Sequence, residues 1–159
     1  MATGDTHIIA NFIKSMANNT PADKWGSDTI KVALVTTSTT PSTSDSDPRW
    51  GAGGGQNYST NEVAAGGNYS AGGVTLSGTT VTQASNVVNF NATSPITWAA
   101  NASNPTTARW AIIYDSTTAN KEVLGYIDLG GVTSLVSGLQ INIAGVASGT
   151  QVVFAGTAA

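Results

Sequence analysis

The sequence predicts a mainly β domain, an antiparallel β-sandwich or small barrel-like fold with one N-terminal amphipathic α-helix. Short apolar runs recur along most of the chain, and glycine or asparagine stands between them. This spacing is typical of sandwiches and barrels rather than of parallel strands joined by helices. Charged residues make up only 9% of the chain, against roughly 25% in an average soluble domain. Thr, Ser, Asn and Gly take their place, which suits pleated strands and tight turns.

The length and charge of the chain limit what it can be. Its 159 residues fit a single β-rich domain, residues 1–159, which is long enough to bury a core. It contains no cysteine, so a disulfide framework and a thiolate metal site are excluded. The net charge of -3 provides no basic patch, and we therefore expect neither nucleic acid nor an anionic membrane as a partner. The N-terminus lacks the features of a signal peptide, so we expect synthesis in the cytoplasm.

Residues 5–19 carry the one clear helical pattern. Asp5 or Thr6 could cap its first turn, and Asn19-Thr20-Pro21 ends it. A helix this short must dock to be stable, either on its own domain or as an arm on a partner subunit, and Phe12 is our candidate contact in the second case. The apolar stripe, with spacings of three and four residues, consists of Ile8, Ile9, Phe12, Ile13 and Met16.

A strand and a long loop follow the helix. Ile30, Val32 and Leu34 alternate with residues of the opposite face, which predicts a strand. The segment 36–61 has few aliphatic residues and many turn formers, so we expect a long exposed loop, and loops of this length are usually functional or disordered.

Three residues of this loop are candidates for binding a partner. Arg49, Trp50 and Tyr58 are of the types that dominate interface hot spots. The alternative is structural, because Trp50 could fold back over the core as a lid.

The remainder of the chain predicts strands without a second helix. Each apolar run is short and is bounded by turn residues. The predicted strands are residues 74–76, 79–83, 87–90, 96–98, 109–114, 123–129, 139–143 and 151–154.

The sequence contains none of the common signatures of an active or cofactor-binding site. His7 is the only histidine, and at the start of the helix it is expected at the surface or in a cap rather than in catalysis. The glycine run at 51–55 lacks the lysine of a phosphate-binding loop. Asp45 and Asp47 lack the acidic residue that closes an EF-hand loop, which leaves a turn as the better interpretation. We therefore expect no metal and no cofactor.

Carboxylates could in principle form the pair that cleaves a glycoside. Glu62, Glu122, Asp115 and Asp128 are the candidates, but their spacing does not single out a pair. Asp115 begins a turn, where an aspartate is expected on structural grounds alone. The sequence thus predicts a protein that is not an enzyme.

The segment 108–130, "ARWAIIYDSTTANKEVLGYIDLG", predicts a hairpin that is apolar on both faces. In its first strand Trp110 and Tyr114 share one face with Ile112, and Ala111 and Ile113 share the other. In the second strand alternation places Val123 and Ile127 opposite Leu124 and Tyr126. A strand with one wet face alternates apolar and polar residues. This hairpin is therefore either the central pair of a layered fold or a pair whose outer face is covered by the helix or by another chain.

Several stretches in order resemble one family of virus proteins. An amphipathic helix precedes "IKVALVTTSTTP", which is followed by "NEVAAGGNYSAGGVTL" and then by the apolar hairpin. This arrangement resembles the tailed-phage virion structural proteins of the head decoration (cement) or head fibre type. The resemblance covers nearly the whole chain, and it departs from the family pattern at the end, where "GVASGTQVVFAGTAA" is plainer and richer in alanine.

The resemblance implies a β-rich domain, assembled as a homotrimer, on the outer surface of a phage head. Its partner would be the major capsid protein, and its function would be to stabilise the shell. As interface hypotheses we name Arg49, Trp50 and Tyr58 in the loop and Trp110 and Tyr126 on the hairpin. The alternative is a host-adsorption fibre or spike module that binds a receptor or glycan, with Ser, Thr and Asn side chains bonding a sugar and Trp50 or Tyr58 stacking on its ring.

Overall fold

The computed structural model describes residues 5–18, 24–51, 53–142 and 149–157. Strands account for 44% of the chain and helices for 10%, and the sheets are antiparallel with one short helix near the N-terminus. This confirms the predicted mainly β class in its sandwich-like form. In these four ranges the strands do not close into a barrel.

The described residues form twelve strands and one α-helix. The helix, α1, is Ala10–Asn18, and a 3-10 turn covers Tyr58–Asn61. The strands are β1 (Asp5–Ile8), β2 (Ile30–Val35), β3 (Pro48–Arg49), β4 (Gln56–Asn57), β5 (Val74–Thr75), β6 (Thr80–Ala84), β7 (Val87–Ser94), β8 (Ile96–Trp98), β9 (Ala108–Asp115), β10 (Val123–Thr133), β11 (Leu139–Ile141) and β12 (Gly149–Thr157).

A five-stranded antiparallel sheet in the order β1-β10-β9-β2-β5 is the centre of the fold. A three-stranded sheet, β12-β7-β6, and a two-stranded sheet, β11-β8, face it, while β3 and β4 form a short parallel pair. The apolar hairpin of the sequence is β9 and β10, and both of its strands have a neighbour on each side. It is thus the central pair of the layered fold, one of the two arrangements that the sequence predicts.

Each face of the five-stranded sheet covers its own apolar cluster. The inner cluster lies between this sheet and the two smaller sheets, and it includes Val32, Ile113 and Ile127 of the central strands. The outer cluster lies on the opposite face. It consists of Ile9, Ala33, Val35, Trp50, Tyr58, Ile112, Tyr114, Val123 and Tyr126, with Trp110 packed against it.

The N-terminal segment differs from its prediction. Residues 5–8 are not helical but form β1, which pairs with β10 and places His7 opposite Tyr126. The side chain of Thr6 does not cap a helix, because its Oγ1 donates a hydrogen bond to the Val153 carbonyl oxygen at 2.8 Å. Sheet pairing prevails over the helical pattern here, since Ile8 and Ile9 reach the inner and the outer cluster respectively. The predicted helix end at Asn19 lies outside the described residues.

The segment 36–61, predicted as a long exposed loop, is exposed only in part, because Trp50 and Tyr58 within it are buried. We call residues 36–51 and 53–61 the lid, because they fold over the outer face of β9 and β10. The main-chain nitrogen of Trp50 donates to the Lys121 carbonyl oxygen at 2.8 Å, and that of Thr36 donates to the Asn61 carbonyl oxygen at 2.9 Å. The physical reason is the apolar outer face itself, which the Trp50 and Tyr58 side chains remove from water. Trp50 thus folds back over the core, which is the structural alternative that the sequence left open.

A β-bulge in β10 changes which side chains share a face. The register with β9 shifts between Val123 and Gly125, and an extra residue in one strand displaces the alternation. As a result Leu124 and Ile127 both belong to the inner cluster, and Val123 and Tyr126 both belong to the outer one. The alternation expected from the sequence is therefore wrong for β10, while in β9 Ile112 and Tyr114 do share the outer cluster.

Most predicted strands are present with altered ends. β7 continues to Ser94 and β10 to Thr133, whereas β5 consists of two residues. The predicted strand over 139–143 is observed as Leu139–Ile141, and its last residue lies outside the described ranges. No helix in the described ranges is long and apolar enough to cross a membrane.

Candidate functional site

Two of the predicted binding residues are internal parts of the lid. Trp50 is 5% exposed and stacks on Tyr114, with 4.9 Å between the ring centres. Tyr58 is fully buried and its hydroxyl donates a hydrogen bond to Oδ2 of Asp45. Burial, and then the Asp45 carboxylate, raise the pKa of Tyr58, so this hydroxyl stays neutral. Neither ring is accessible to a partner in this structure.

Phe12 and Arg49 are also engaged within the chain. Phe12 is 1% exposed and meets Phe90 edge to face at 5.6 Å. Arg49 is partly exposed, but its Nε and Nη2 donate to the two carboxylate oxygens of Asp47, each at 3.1 Å. Its Nη1 donates to Oδ1 of Asn120 at 3.2 Å. The guanidinium therefore ties the lid to the β9–β10 turn.

A polar cleft of about 410 Å³ lies between α1 and the lid, next to Arg49. Glu122 is buried at its edge and accepts a hydrogen bond from the Thr118 hydroxyl. Amide, hydroxyl and charged groups line the cleft, which suits a ligand rich in hydroxyl groups. The lining residues are Asn11, Lys14, Ser15, Asn18, Ser46, Asp47, Arg49, Asn120 and Glu122.

Trp110 and Tyr126, the two hairpin candidates, lie in contact. Their rings meet edge to face with 5.8 Å between the centres. His7 of β1 stacks on the same tyrosine at 4.7 Å. The guanidinium carbon of Arg109 lies 3.8 Å from the centre of the Trp110 ring. We call His7, Arg109, Trp110, Tyr126 and Asp128 the aromatic surface.

The charges of the aromatic surface are partly open to water. Arg109 forms an ion pair with Asp128, and the two side chains are 20% and 34% exposed. The hydrogen bond from Arg109 lowers the pKa of Asp128, and the Gly130 main-chain N–H, which donates to it at 2.7 Å, acts in the same direction. Tyr126 is 8% exposed, and burial raises its pKa, with a contribution from the nearby Asp45. An arginine stacked on a partly exposed tryptophan ring is typical of protein contacts.

Sequence reasoning missed three members of the aromatic surface. Arg109 and Asp128 come together because Asp128 pairs with Trp110, the neighbour of Arg109 in the chain, and this register follows a bulge in β10 that simple alternation does not predict. His7 was missed because the predicted helix placed it away from the sheet.

A close pair of carboxyl groups is present, but not at a catalytic position. Asp115 is completely buried, and its Oδ1 accepts a hydrogen bond from the Thr117 main-chain N–H at 2.7 Å. This hydrogen bond confirms the prediction that Asp115 begins a turn. No described group donates to its Oδ2, and the Asp28 carboxyl group lies close to that of Asp115. The pKa of Asp115 is raised to about 6, and burial is the largest cause. The Thr117 hydrogen bond lowers the pKa, whereas the nearby Asp28 carboxyl group raises it. A glycoside has no access to a carboxyl group buried in this way.

The glycine-rich motif 61–76 holds the fold together. Oε1 of Glu62 accepts hydrogen bonds from the Tyr69 hydroxyl at 2.8 Å and from the Gly72 main-chain N–H at 2.6 Å. The Tyr69 hydroxyl also accepts from the Leu34 main-chain N–H at 2.9 Å. Gly73 has a φ of +69° and lies directly against the Val32 carbonyl oxygen. The residues of this motif, which carry part of the family resemblance, thus have structural roles.

The described residues contain no group of three or more His, Asp or Glu side chains that could hold a metal ion. No protein-family model, curated protein or solved structure matches the chain.

Proposed function

We propose that the protein is a phage capsid decoration (cement) protein that binds the major capsid protein on the exterior of the head. The sequence resemblance supports this proposal, since the motif 61–76 and the hairpin 108–130 occur in the family order. The observation that carries it in the structure is the aromatic surface. Arg109, Trp110 and Tyr126 of this surface belong to the hairpin, which carries the resemblance together with the motif 61–76.

The proposed mechanism is stabilisation by linkage. A protein that binds the assembled shell and not its separated subunits shifts the equilibrium toward the shell. Rigid aromatic side chains suit this role, because they contribute large contact areas with little loss of conformational entropy. Arg109 is already held by the ion pair with Asp128 and by the Trp110 ring. In this proposal the protein assembles as a homotrimer on the virion surface and catalyses no reaction.

The polar cleft supports a second candidate function, a receptor- or glycan-binding module of a fibre or spike. Its amide, hydroxyl and guanidinium groups could bond to the hydroxyl groups of a sugar. The aromatic platform expected for such a site is missing, however, because Trp50 and Tyr58 are buried in the lid. The support that the cleft gives to glycan binding is therefore weaker than the support that the aromatic surface gives to capsid binding.

The location and copy number of the protein in the intact particle separate the two functions. We expect a density map of the particle to contain this fold in hundreds of copies on the head, with the aromatic surface against the capsid. A handful of copies at the tail would support the adsorption module instead. Absence of the protein from purified particles would contradict both functions.

A further inference from the structure

The hairpin of β6 and β7 extends an unprotected strand edge into water. All five residues of β6 are exposed, as are Ser85 and Asn86 in the turn that follows. Val81 is 50% and Val88 is 37% exposed. Among the described strands, only β7 pairs with β6. One side of the β6 backbone therefore has no strand partner among the residues that the structure describes.

Natural proteins protect such edges with charges, proline, bulges or short strands, and β6 has none of these. It contains neither a charged residue nor a proline, and its pairing with β7 is regular from Thr80 to Ala84. The chain has no charged side chain at all from residue 63 to residue 108.

The ends of the other sheets are protected. β1 carries Asp5 and His7, and β5 has only two residues. β12, at the other end of the same sheet as β6, is contacted by β1 through the hydrogen bond from Thr6 to Val153. β8 and β11 have three residues each. Among the described sheet ends, β6 thus combines length, exposure and absence of charge.

We propose that β6 is a self-association edge, which pairs antiparallel with β6 of a second copy of this chain. A two-fold axis at Thr82 would place Val81 opposite Gln83 of the other copy and Thr82 opposite itself, and threonine pairs are favourable across strands. Val81 and Val88 lie on the same face, since Gln83 of that face is opposite Val88 in the β6–β7 register. Pairing would join the valines of both copies into one apolar patch on a six-stranded sheet.

The distribution of charge favours a second copy of this chain as the partner that pairs with β6. Neither β6 nor its neighbour β7 carries a charged side chain, so two copies that pair through β6 bring no like charges together on the paired strands. A basic or acidic partner would find no countercharge on this edge. A strand of five residues makes the contact smaller than a standard interface of roughly 1,200 to 2,000 Å², so we expect reversible dimers that form at high protein concentration.

This inference does not rest on the proposed capsid function. The family resemblance implies a three-fold assembly, whereas the β6 contact is two-fold, so the two would be separate interfaces.

Sedimentation velocity over a concentration series tests the proposal directly. We expect wild-type protein to pass from monomer to dimer, and we expect Val81→Lys and Gln83→Lys to weaken dimerisation by about tenfold or more, because lysine on an edge strand opposes pairing. Val132→Lys is the matched control. Val132 is 61% exposed in β10, so this variant makes the same change away from β6 and should dimerise like the wild type.

A second readout excludes a general loss of folding. Amide hydrogen exchange in β6 should slow as wild-type concentration rises and should not slow in Val81→Lys. A wild type that stays monomeric at all concentrations would overturn the proposal. A trimer that both edge variants leave intact, or an equal effect of Val132→Lys, would also overturn it. Capsid binding is tested separately, by the location of the protein in the intact particle.

Discussion

Asp115 illustrates how one buried side chain can set the pH response of the fold. Its folded-state pKa is about 6, above the ordinary value of 3.8, so the folded state holds more protons than the unfolded state between these values. Stability therefore falls as pH rises from about 4 to about 6, and the loss remains at neutral pH.

We predict that Asp115→Asn removes this loss. Asparagine keeps an oxygen for the Thr117 N–H and offers an N–H to the Asp28 carboxylate. In chemical denaturation, the variant should gain about 1 to 3 kcal/mol relative to the wild type at pH 7 and little below pH 4. A difference that is independent of pH would contradict the account.

Asp128→Asn should behave with the opposite sign. The Arg109 hydrogen bond lowers the pKa of Asp128, so its stabilising contribution is present above the unfolded-state pKa and is lost as pH falls through the folded-state value. We expect the variant to be less stable than the wild type near pH 7 and to approach it in acid, as measured by the same denaturation series. The difference should shrink at high salt, because this ion pair is partly exposed.

Gly73 is a position where the backbone excludes a side chain. Its φ is +69°, and a Cβ there would overlap the Val32 carbonyl oxygen. We predict that Gly73→Ala destabilises the protein by more than about 2 kcal/mol in denaturant unfolding. Gly130→Ala is the control, since Gly130 has a similar φ of +76° but no atom within 4 Å of its added Cβ. It should cost only about 1 kcal/mol, and equal losses would contradict a steric role for Val32.

At the scale of elements, the lid explains why both faces of the β9–β10 hairpin are apolar. One face packs on the inner cluster, and the other receives Trp50 and Tyr58 of the lid. The cover on the outer face comes mainly from a segment that the sequence alone indicated as an exposed loop.

Trp50→Ala tests the lid. The side chain is 5% exposed and stacks on Tyr114, so its removal should reduce the free energy of unfolding by about 3 to 5 kcal/mol. Trp110→Ala removes the same group from a partly exposed position and should cost about 1 to 2 kcal/mol. Denaturant unfolding of both variants measures the contrast. Equal losses would show that the lid does not seal the outer face.

The elements that the sequence predicts well are those whose apolar period is local. β2 and β9 follow from simple alternation, and the need to cover both faces of the hairpin follows from composition. β1 could not be predicted, because Ile8 and Ile9 fit a helical stripe as well as a strand end. The bulge at Leu124 depends on pairing with β9, and the aromatic surface follows only from that register. The packing of the lid depends on two aromatic residues far from the hairpin in sequence.

The whole molecule separates its charged and uncharged parts. The segments 63–108 and 129–159 carry no charged side chain, and they contain β5 to β8, β11 and β12. The charged segments contribute the lid, α1 and the hairpin with its aromatic surface. Because the lid already covers the hairpin within one chain, apolar excess alone does not require a partner. The decoration proposal depends instead on the aromatic surface and on the family resemblance.

The release temperature of the genome from phage heads tests this proposal most directly. Heads that lack the protein should release DNA, detected with a fluorescent dye, at a lower temperature than complete heads. Added wild-type protein should restore the higher temperature, and Trp110→Ala, if folded by circular dichroism, should restore it less at equal concentration. Identical release temperatures with and without the protein would contradict a role in stabilising the shell.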